Sequence, residues 1–255
     1  MKQIPNVFTL LNLVAGCFAI IFLLQTGENL ITQNEESSWV AQLPEKIWMG
    51  SFFIFIAAII DFLDGFVARL FKAGSEMGKQ LDSLADIVSF GVAPGLILYQ
   101  LLRIGYIQQS TGLDTPLLAL APALIIPCAG AWRLARYNID KETRKTFQGV
   151  PIPAAGLVIA SFPLIIFYNY FNLAQWLVNP WILYAVIIVI SLLMVSKLPL
   201  IAIKFNDASL KNNVPQLILM AIGVVAAVFL QWLAVPVVFA LYIIVSLVTG
   251  KPQQL

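Results

Sequence analysis

The sequence predicts an all-α integral membrane protein. We expect one domain over residues 1–255, a bundle of about eight transmembrane helices with both termini in the cytoplasm. Three observations predict it. The 255-residue chain is 60% hydrophobic and only 11% charged, where a soluble domain carries about 25% charged residues. Its mean hydropathy is +0.89. Apolar runs near the roughly 20 residues needed to cross a bilayer recur at 7–25, 46–70, 79–104, 115–137, 154–172, 179–198, 214–233 and 235–249. This composition argues against a soluble enzyme, and a net charge of +2 does not suggest a nucleic-acid partner.

The first run, with a single early Lys2 and no small-residue cleavage site, reads as a membrane helix rather than a leader. Pro5 stands where a helix can start, since its missing N–H has no partner there. The second and third runs carry aspartates and are joined by the short polar segment Phe71–Met77, which makes them an antiparallel hairpin. Ala93-Pro94-Gly95 is expected to kink the third helix. The fourth ends on Arg133 and Arg136, and Asp140–Lys145 reads as a solvated charge run. Pro151-x-Pro153 marks the start of the fifth. The last two runs are separated only by Ala234, so seven spans is the alternative count. Trp39, Trp48, Trp176 and Trp181 fall near span ends, as an interfacial aromatic belt does. With the N-terminus in the cytoplasm, thirteen of the fifteen basic residues fall on that side. The loop 26–45 opposite holds Glu28, Glu35, Glu36 and Glu45 instead. This is the positive-inside pattern of a multi-pass cell-membrane protein.

There are no histidines, and Cys17 and Cys128 lie in apolar stretches. A His-dependent triad and a His- or Cys-ligated metal are excluded, which leaves carboxylate chemistry. Asp61, Asp64, Asp82 and Asp86 lie inside spans, where each unpaired carboxylate costs about 2.5–3.5 kcal/mol on the insertion scale. Asp61 and Asp64 are three apart, and Asp82 and Asp86 four apart, so each pair shares one helix face. Counted from the turn near Gly74, Asp61 and Asp86 sit at equal depth, and Asp64 and Asp82 about one turn nearer the cytoplasm. Gly65 and Gly78 are expected to let the two backbones approach. Clustered carboxylates without nitrogen or sulfur ligands make a hard-oxygen site suited to Mg²⁺, Mn²⁺ or Ca²⁺. Two divalent ions would balance four negative charges, and two-metal sites serve phosphoryl transfer. Arg69, at the mouth of the hairpin, can hold a phosphate bidentately.

The pattern Asp61-x-x-Asp64-Gly65-x-x-Ala68-Arg69, eight residues, Gly78-x-x-x-Asp82-x-x-x-Asp86 resembles the signature of the CDP-alcohol phosphotransferases at every fixed position. The resemblance implies two divalent cations, Mg²⁺ or Mn²⁺, held by Asp61, Asp64 and Asp82 and bordered by Asp86. It implies that Asp86 is the base for the acceptor alcohol and that Gly65, Ala68 and Arg69 lie against the nucleotide diphosphate. Three further segments, Ile4–Leu13, Leu81–Pro94 and Arg133–Asn138 followed by Phe147-x-Gly149-x-Pro151-x-Pro153, resemble the branch that moves a phosphatidyl group from CDP-diacylglycerol to L-serine. Tyr137 departs mildly from that pattern, where Phe is commoner. The last three spans resemble nothing beyond apolar packing. A homodimer is an expectation of the resemblance alone.

Thr9 and Asn12, three apart on the first helix, can face the nucleotide or serve as polar contacts between helices. Ser75 and Lys79 flank the hairpin turn and can take phosphate, or Lys79 can reach for headgroups. Ser83 and Ser89 read as helix-packing hydroxyls. Arg133, Arg136 and Asn138 are candidates for the acceptor, with an arginine fork matching the serine carboxylate. The alternatives are anchoring at the membrane surface and a helix-end cap. Functional alternatives are the same chemistry on glycerol 3-phosphate, inositol phosphate, choline or ethanolamine, and a cation path through the aspartates. The single occurrence of the aspartate motif argues against a transporter with repeated halves.

Overall fold

The computed structural model describes residues 4–34, 37–44, 46–70, 75–108, 115–139, 149–198 and 214–249. The expectations for Lys2, Phe71–Gly74, Asp140–Phe147, Lys204, Lys211 and Lys251 lie outside the described residues.

Helix α1 spans Ile4–Leu24 and α2 Ile47–Leu70. Between them the chain is not an acidic loop but an antiparallel hairpin, β1 (Thr26–Asn34) with β2 (Ser37–Pro44), pairing Ile31 with Val40. Among the described residues this hairpin is the one departure from the expected helical fold. Leu30-Ile31-Thr32 and Trp39-Val40 supply the β-branched and aromatic residues that suit strands.

Helix α3 (Glu76–Asp86) continues through a π-helical turn, Ile87–Val92, into α4 (Ala93–Ile107). The irregularity expected at Ala93–Gly95 therefore lies one turn earlier. Pro94 has no N–H, and its ring crowds the carbonyl four residues back. The ladder widens ahead of it, and Ala93 N–H donates to the Val88 carbonyl, five residues back. Such π turns recur at functional sites, and this one follows Asp86 directly.

The fourth run is broken near its start. A short α5 (Leu117–Leu120) and a 3₁₀ turn at Ala121–Leu124 containing Pro122 lead into α6 (Ile125–Ile139). Helix α7 (Ile152–Tyr168) starts after Pro151 and stops at Asn169, which has φ +43°. Short α8 (Ala174–Leu177) precedes α9 (Pro180–Val195), whose cap Asn179 accepts from Trp181 N at 3.0 Å. Helices α10 (Val214–Leu230) and α11 (Ala234–Thr249) pack on each other across a 3₁₀ turn at Gln231–Leu233 with Gln231 at φ +49°.

Among the described residues five helical stretches are long and apolar enough to cross a membrane: Pro5–Leu24, Ile47–Leu70, Glu76–Ile107, Leu117–Ile139 and Ile222–Leu247. Ile152–Tyr168 and Pro180–Val195 are apolar but shorter. Burial follows membrane logic. On α2, Phe62 is 68% exposed while Asp64 is 6% exposed. Placing large hydrocarbon outward and carboxylate inward suits a lipid surround, where polar groups must be satisfied within the bundle.

Helix ends gather on two faces. On one, Arg136 of α6 donates to the Val195 and Ser196 carbonyls at the end of α9, at 3.0 and 3.2 Å. Asn138 of α6 donates to Ser83 of α3 at 2.9 Å, and Val150 N, before α7, donates to the Leu193 carbonyl at 3.1 Å. On the other face, Gln100 of α4 donates to the Leu23 carbonyl closing α1, at 2.9 Å, and Trp48 packs on Phe167. Tyr106, Tyr184 and the Ala119 carbonyl join α4, α9 and α5 through bonds of 2.7 Å. Helix α7 is buried along most of its length and packs on α2, α4 and the π turn.

Candidate active site

The carboxylates stand on the face where α2 ends and α3 begins. Helix α3 starts there because Ser75 caps it, its hydroxyl accepting from Gly78 N at 3.0 Å, with Glu76 in the first turn where negative charge suits the helix dipole. From that fixed start, Asp82 and Asp86 face α2. One oxygen each of Asp61, Asp64 and Asp82 lie within 4.8 Å of one another. Two oxygens on a shared ion stand at most about 4–5 Å apart at metal–oxygen distances near 2.0–2.6 Å. The donor set and its spacing thus fit a divalent cation. Asp86 stands beside this group, its carboxyl within hydrogen-bonding reach of Asp61. Those are the two that residue counting places at equal depth.

Helix α1 supplies the next layer. Thr9 Oγ1 donates to Asp64 Oδ2 at 2.8 Å and lies 3.2 Å from the Pro5 carbonyl. Asn12 Nδ2 reaches Asp86 Oδ1 at 3.5 Å, and the Asn12 carbonyl accepts from Ser89 Oγ at 3.0 Å. That contact needs Gly16: a Cβ there would collide with Ser89. Thr9 and Asn12 therefore both hold carboxylates.

A cavity of about 250 Å³ opens beside the cluster, lined by Thr9, Asp64, Gly65, Ala68, Ser75, Gly78, Lys79 and Asp82, with Pro5 and Asn6 on the α1 side. Of the residues expected near a nucleotide, Thr9, Gly65, Ala68, Ser75 and Lys79 line it; Asn12 does not, and Arg69 is exposed at the end of α2. Two glycine expectations are corrected. A Cβ on Gly65 would meet nothing within 4 Å, so Gly65 keeps the cavity open rather than letting helices touch. A Cβ on Gly78 would meet Asn6 Oδ1 at 2.9 Å and Ser75 Oγ at 3.1 Å, so Gly78 makes room for α1, not for α2. Sequence reasoning passed over Asn6. The signal was present: Asn6, Thr9 and Asn12 recur every three residues on one helix face.

The chain matches the sequence profile of the CDP-alcohol phosphatidyltransferases over residues 2–194. The chain belongs to that family. Several curated relatives carry a more specific name. A CDP-diacylglycerol–serine O-phosphatidyltransferase of Bacillus subtilis (strain 168) is 36% identical over 165 residues, 64% of this chain and 77% of its own. One of Mycobacterium bovis (strain ATCC BAA-935 / AF2122/97) is 29% identical over 251 residues, 95% of this chain and 76% of its own. An archaetidylserine synthase of Methanothermobacter thermautotrophicus is 34% identical over 147 residues, 56% of this chain and 50% of its own. The chain spans little more than half the length of further relatives of the first name, from Mycobacterium leprae and Helicobacter pylori. The family match takes in α1 to α9 and leaves α10 and α11 outside it.

Three more expected residues lie on α6 of this family member. Arg133 is buried, with its Nε lacking any hydrogen-bond partner among the described residues. Tyr137, Asp86, Arg136 and Tyr242 are within its electrostatic reach. Arg136 closes the end of α9, satisfying carbonyls a helix terminus leaves open. Asn138 ties α6 to α3 through Ser83. Lys79 Nζ lies 5.9 Å from the centre of the Tyr137 ring, a cation–π distance.

Proposed function

We propose that the chain transfers the phosphatidyl group of CDP-diacylglycerol to the hydroxyl of L-serine, releasing CMP and phosphatidylserine. The observation that carries this reading is the meeting of three aspartates within 4.8 Å, beside a cavity that Ser75 and Lys79 also line, with a buried arginine, Arg133, whose charge interacts with the fourth aspartate. The names of the relatives support serine as acceptor.

Asp61, Asp64 and Asp82 would hold the divalent cations, Mg²⁺ or Mn²⁺, which neutralise the charge of the diphosphate when bound. The nucleotide end of the donor occupies the 250 Å³ cavity, with Lys79 and Ser75 toward the phosphates, Gly65 and Ala68 leaving room, and Arg69 at the mouth. Arg133 receives the serine carboxylate on its unpaired N–H, a buried donor that is costly to leave unmatched. Asp86 takes the hydroxyl proton of serine. The serine oxygen forms a bond to the phosphorus that carries diacylglycerol, the bond from that phosphorus to the bridging oxygen breaks, and CMP departs with the electron pair.

The chain crosses the membrane eight times with both termini and the site on the cytoplasmic side. The alternation of helix ends between two faces supports this, as does the collection of Arg69, Lys79, Arg136 and Lys197 on the site face. Helices α7 and α9, of 17 and 16 residues, are about 25 Å long at 1.5 Å per residue, slightly under the hydrocarbon thickness.

Purified protein given labelled serine and CDP-diacylglycerol should form a lipid-soluble labelled product, and EDTA should stop it. In competition with glycerol 3-phosphate, inositol phosphate, choline and ethanolamine, phosphatidylserine should dominate; a dominant phosphatidylglycerophosphate would overturn the acceptor while leaving the family intact. Arg133→Lys, which keeps charge but loses the fork, should raise the KM for serine about tenfold or more, the scale of one charged hydrogen bond, with the donor KM little changed.

A further inference from the structure

Helix α3 turns two faces to its neighbours. Asp82 and Asp86 meet the aspartates of α2. Lys79 and Ser83, four apart and so on one face, meet the end of α6 instead. Helix α6 packs on the π turn that follows α3. Toward the start of α3 two adjacent side chains of α6 make the link. Asn138 Nδ2 donates to Ser83 Oγ at 2.9 Å, and Ser83 Oγ donates to the Lys79 carbonyl at 3.2 Å. The Lys79 ammonium stands over the Tyr137 ring, 5.9 Å from Nζ to the ring centre. One lysine is thus held at both ends, its backbone through Asn138 and its charge through Tyr137. That lysine lines the cavity of about 250 Å³ beside the aspartates. Neither Tyr137 nor Asn138 is among the residues lining it.

The direction of these bonds decides what Asn138 can do. A serine side chain has one hydroxyl proton. Ser83 gives its proton to the Lys79 carbonyl, so from Asn138 it can only accept. That fixes the amide nitrogen toward α3 and turns Oδ1 to the other edge of the amide. An amide oxygen is an acceptor and repels a carboxylate. Asn138, expected near the acceptor alcohol, is therefore committed to the helix that carries Lys79. The lysine needs such support, because its four-carbon stem is flexible and near a membrane surface reaches for headgroups.

We propose that Tyr137 and Asn138 are positioning residues that hold Lys79 at this cavity, so that its charge is in place before the diphosphate of the donor arrives. The proposal rests on the reading above that puts Lys79 against the donor phosphates. Because neither residue lines the cavity, their effect on the donor passes through Lys79. The ring acts through its face and the amide through the helix turn, so the two contributions separate by substitution.

Double-mutant cycles on the full-length protein test it, with labelled serine and CDP-diacylglycerol as substrates. Tyr137→Leu keeps an apolar side chain without the ring face and should raise the donor KM about two- to fivefold, the scale of a cation–π contact at an exposed site. Tyr137→Phe keeps the ring and should leave the donor KM within about twofold of wild type. Asn138→Ala should raise the donor KM about two- to tenfold, the scale of one neutral hydrogen bond. The serine KM and kcat of Tyr137→Leu and Asn138→Ala should change less than the donor KM, because what is lost is donor binding. In a Lys79→Met background both effects should disappear, since the group they position is gone. Effects that persist in full beside Lys79→Met would overturn the proposal. So would a Tyr137→Phe protein as impaired as Tyr137→Leu, or an Asn138→Ala protein whose serine KM rises while its donor KM does not. Should Tyr137→Leu not accumulate, the Asn138→Ala cycle carries the same test. A readout independent of turnover is the rate at which an acetylating ester modifies Lys79, followed by mass spectrometry. Tyr137→Leu should speed that reaction about two- to fivefold, and Tyr137→Phe should not. Equal rates in wild type, Tyr137→Leu and Asn138→Ala would sink the proposal. If wild type forms no phosphatidylserine, the transfer reading has failed, and the acetylation rates still decide whether Lys79 is held.

Discussion

Asp64→Asn and Asp82→Asn should each lower serine transfer by more than about 100-fold and weaken Mn²⁺ binding measured by calorimetry. Asp61→Asn should do the same. Each substitution removes one charge from a set of three oxygens within 4.8 Å and leaves the shape of the side chain, so lost packing cannot explain the result. Thr9 grades the effect. Its hydroxyl donates to Asp64 Oδ2 at 2.8 Å, and partners that orient a metal-binding group typically contribute about 10–100-fold in affinity or activity. Thr9→Val should therefore fall between wild type and Asp64→Asn in both readouts, and excess Mn²⁺ should recover more of its activity than that of Asp64→Asn. An aspartate variant that keeps wild-type turnover at limiting metal would remove that residue from the ion site. A Thr9→Val protein as inactive as Asp64→Asn would show that Thr9 touches substrate instead.

Much of this arrangement is legible in the sequence because it is local. Hydropathy over 46–70 matches α2 to within a residue, and the three- and four-residue spacings of the aspartates place them on facing sides of one hairpin. What escapes is of two kinds. Some features reverse a local rule: Gly65 reads as a packing glycine but borders open space, and the strain of Pro94 is relieved at Ile87–Val92, next to Asp86. Others join residues far apart in the chain. Arg136 meets Val195 and Ser196 some sixty residues on, and Asn138 meets Ser83 fifty-five residues back. No periodicity encodes such pairs. The hairpin β1–β2 was passed over because its four glutamates made 26–45 read as a loop, although Leu30–Thr32 and Trp39–Val40 carry strand composition. The α10–α11 hairpin reads as apolar packing alone; only its placement against α7 shows that it leaves a groove.

Asp86→Asn separates proton transfer from binding. Asp86 is 7% exposed, stands outside the three-oxygen group, and is held by Asn12 at 3.5 Å and by its contact with Asp61. In the proposed reaction Arg133, whose charge interacts with Asp86, would bring the serine hydroxyl to the carboxylate that takes its proton. The asparagine variant keeps volume and removes the base, so kcat should fall at least about 10²-fold, the lower bound for general base catalysis. Calorimetric affinity for CDP-diacylglycerol should change far less, because a group that acts only as the proton moves adds little to ground-state binding. Arg69→Ala supplies the contrast. It removes an exposed charge next to Ala68 of the cavity lining and, on the proposed reading, should raise the donor KM while kcat stays within a few-fold of wild type. The order of severity also tests the geometry. Asn12→Ala frees one side of Asp86 without removing its carboxylate, so its kcat should lie between wild type and Asp86→Asn. If Asp86→Asn loses donor and Mn²⁺ affinity as severely as it loses turnover, Asp86 is a fourth metal-binding carboxylate, and the serine proton leaves by another group.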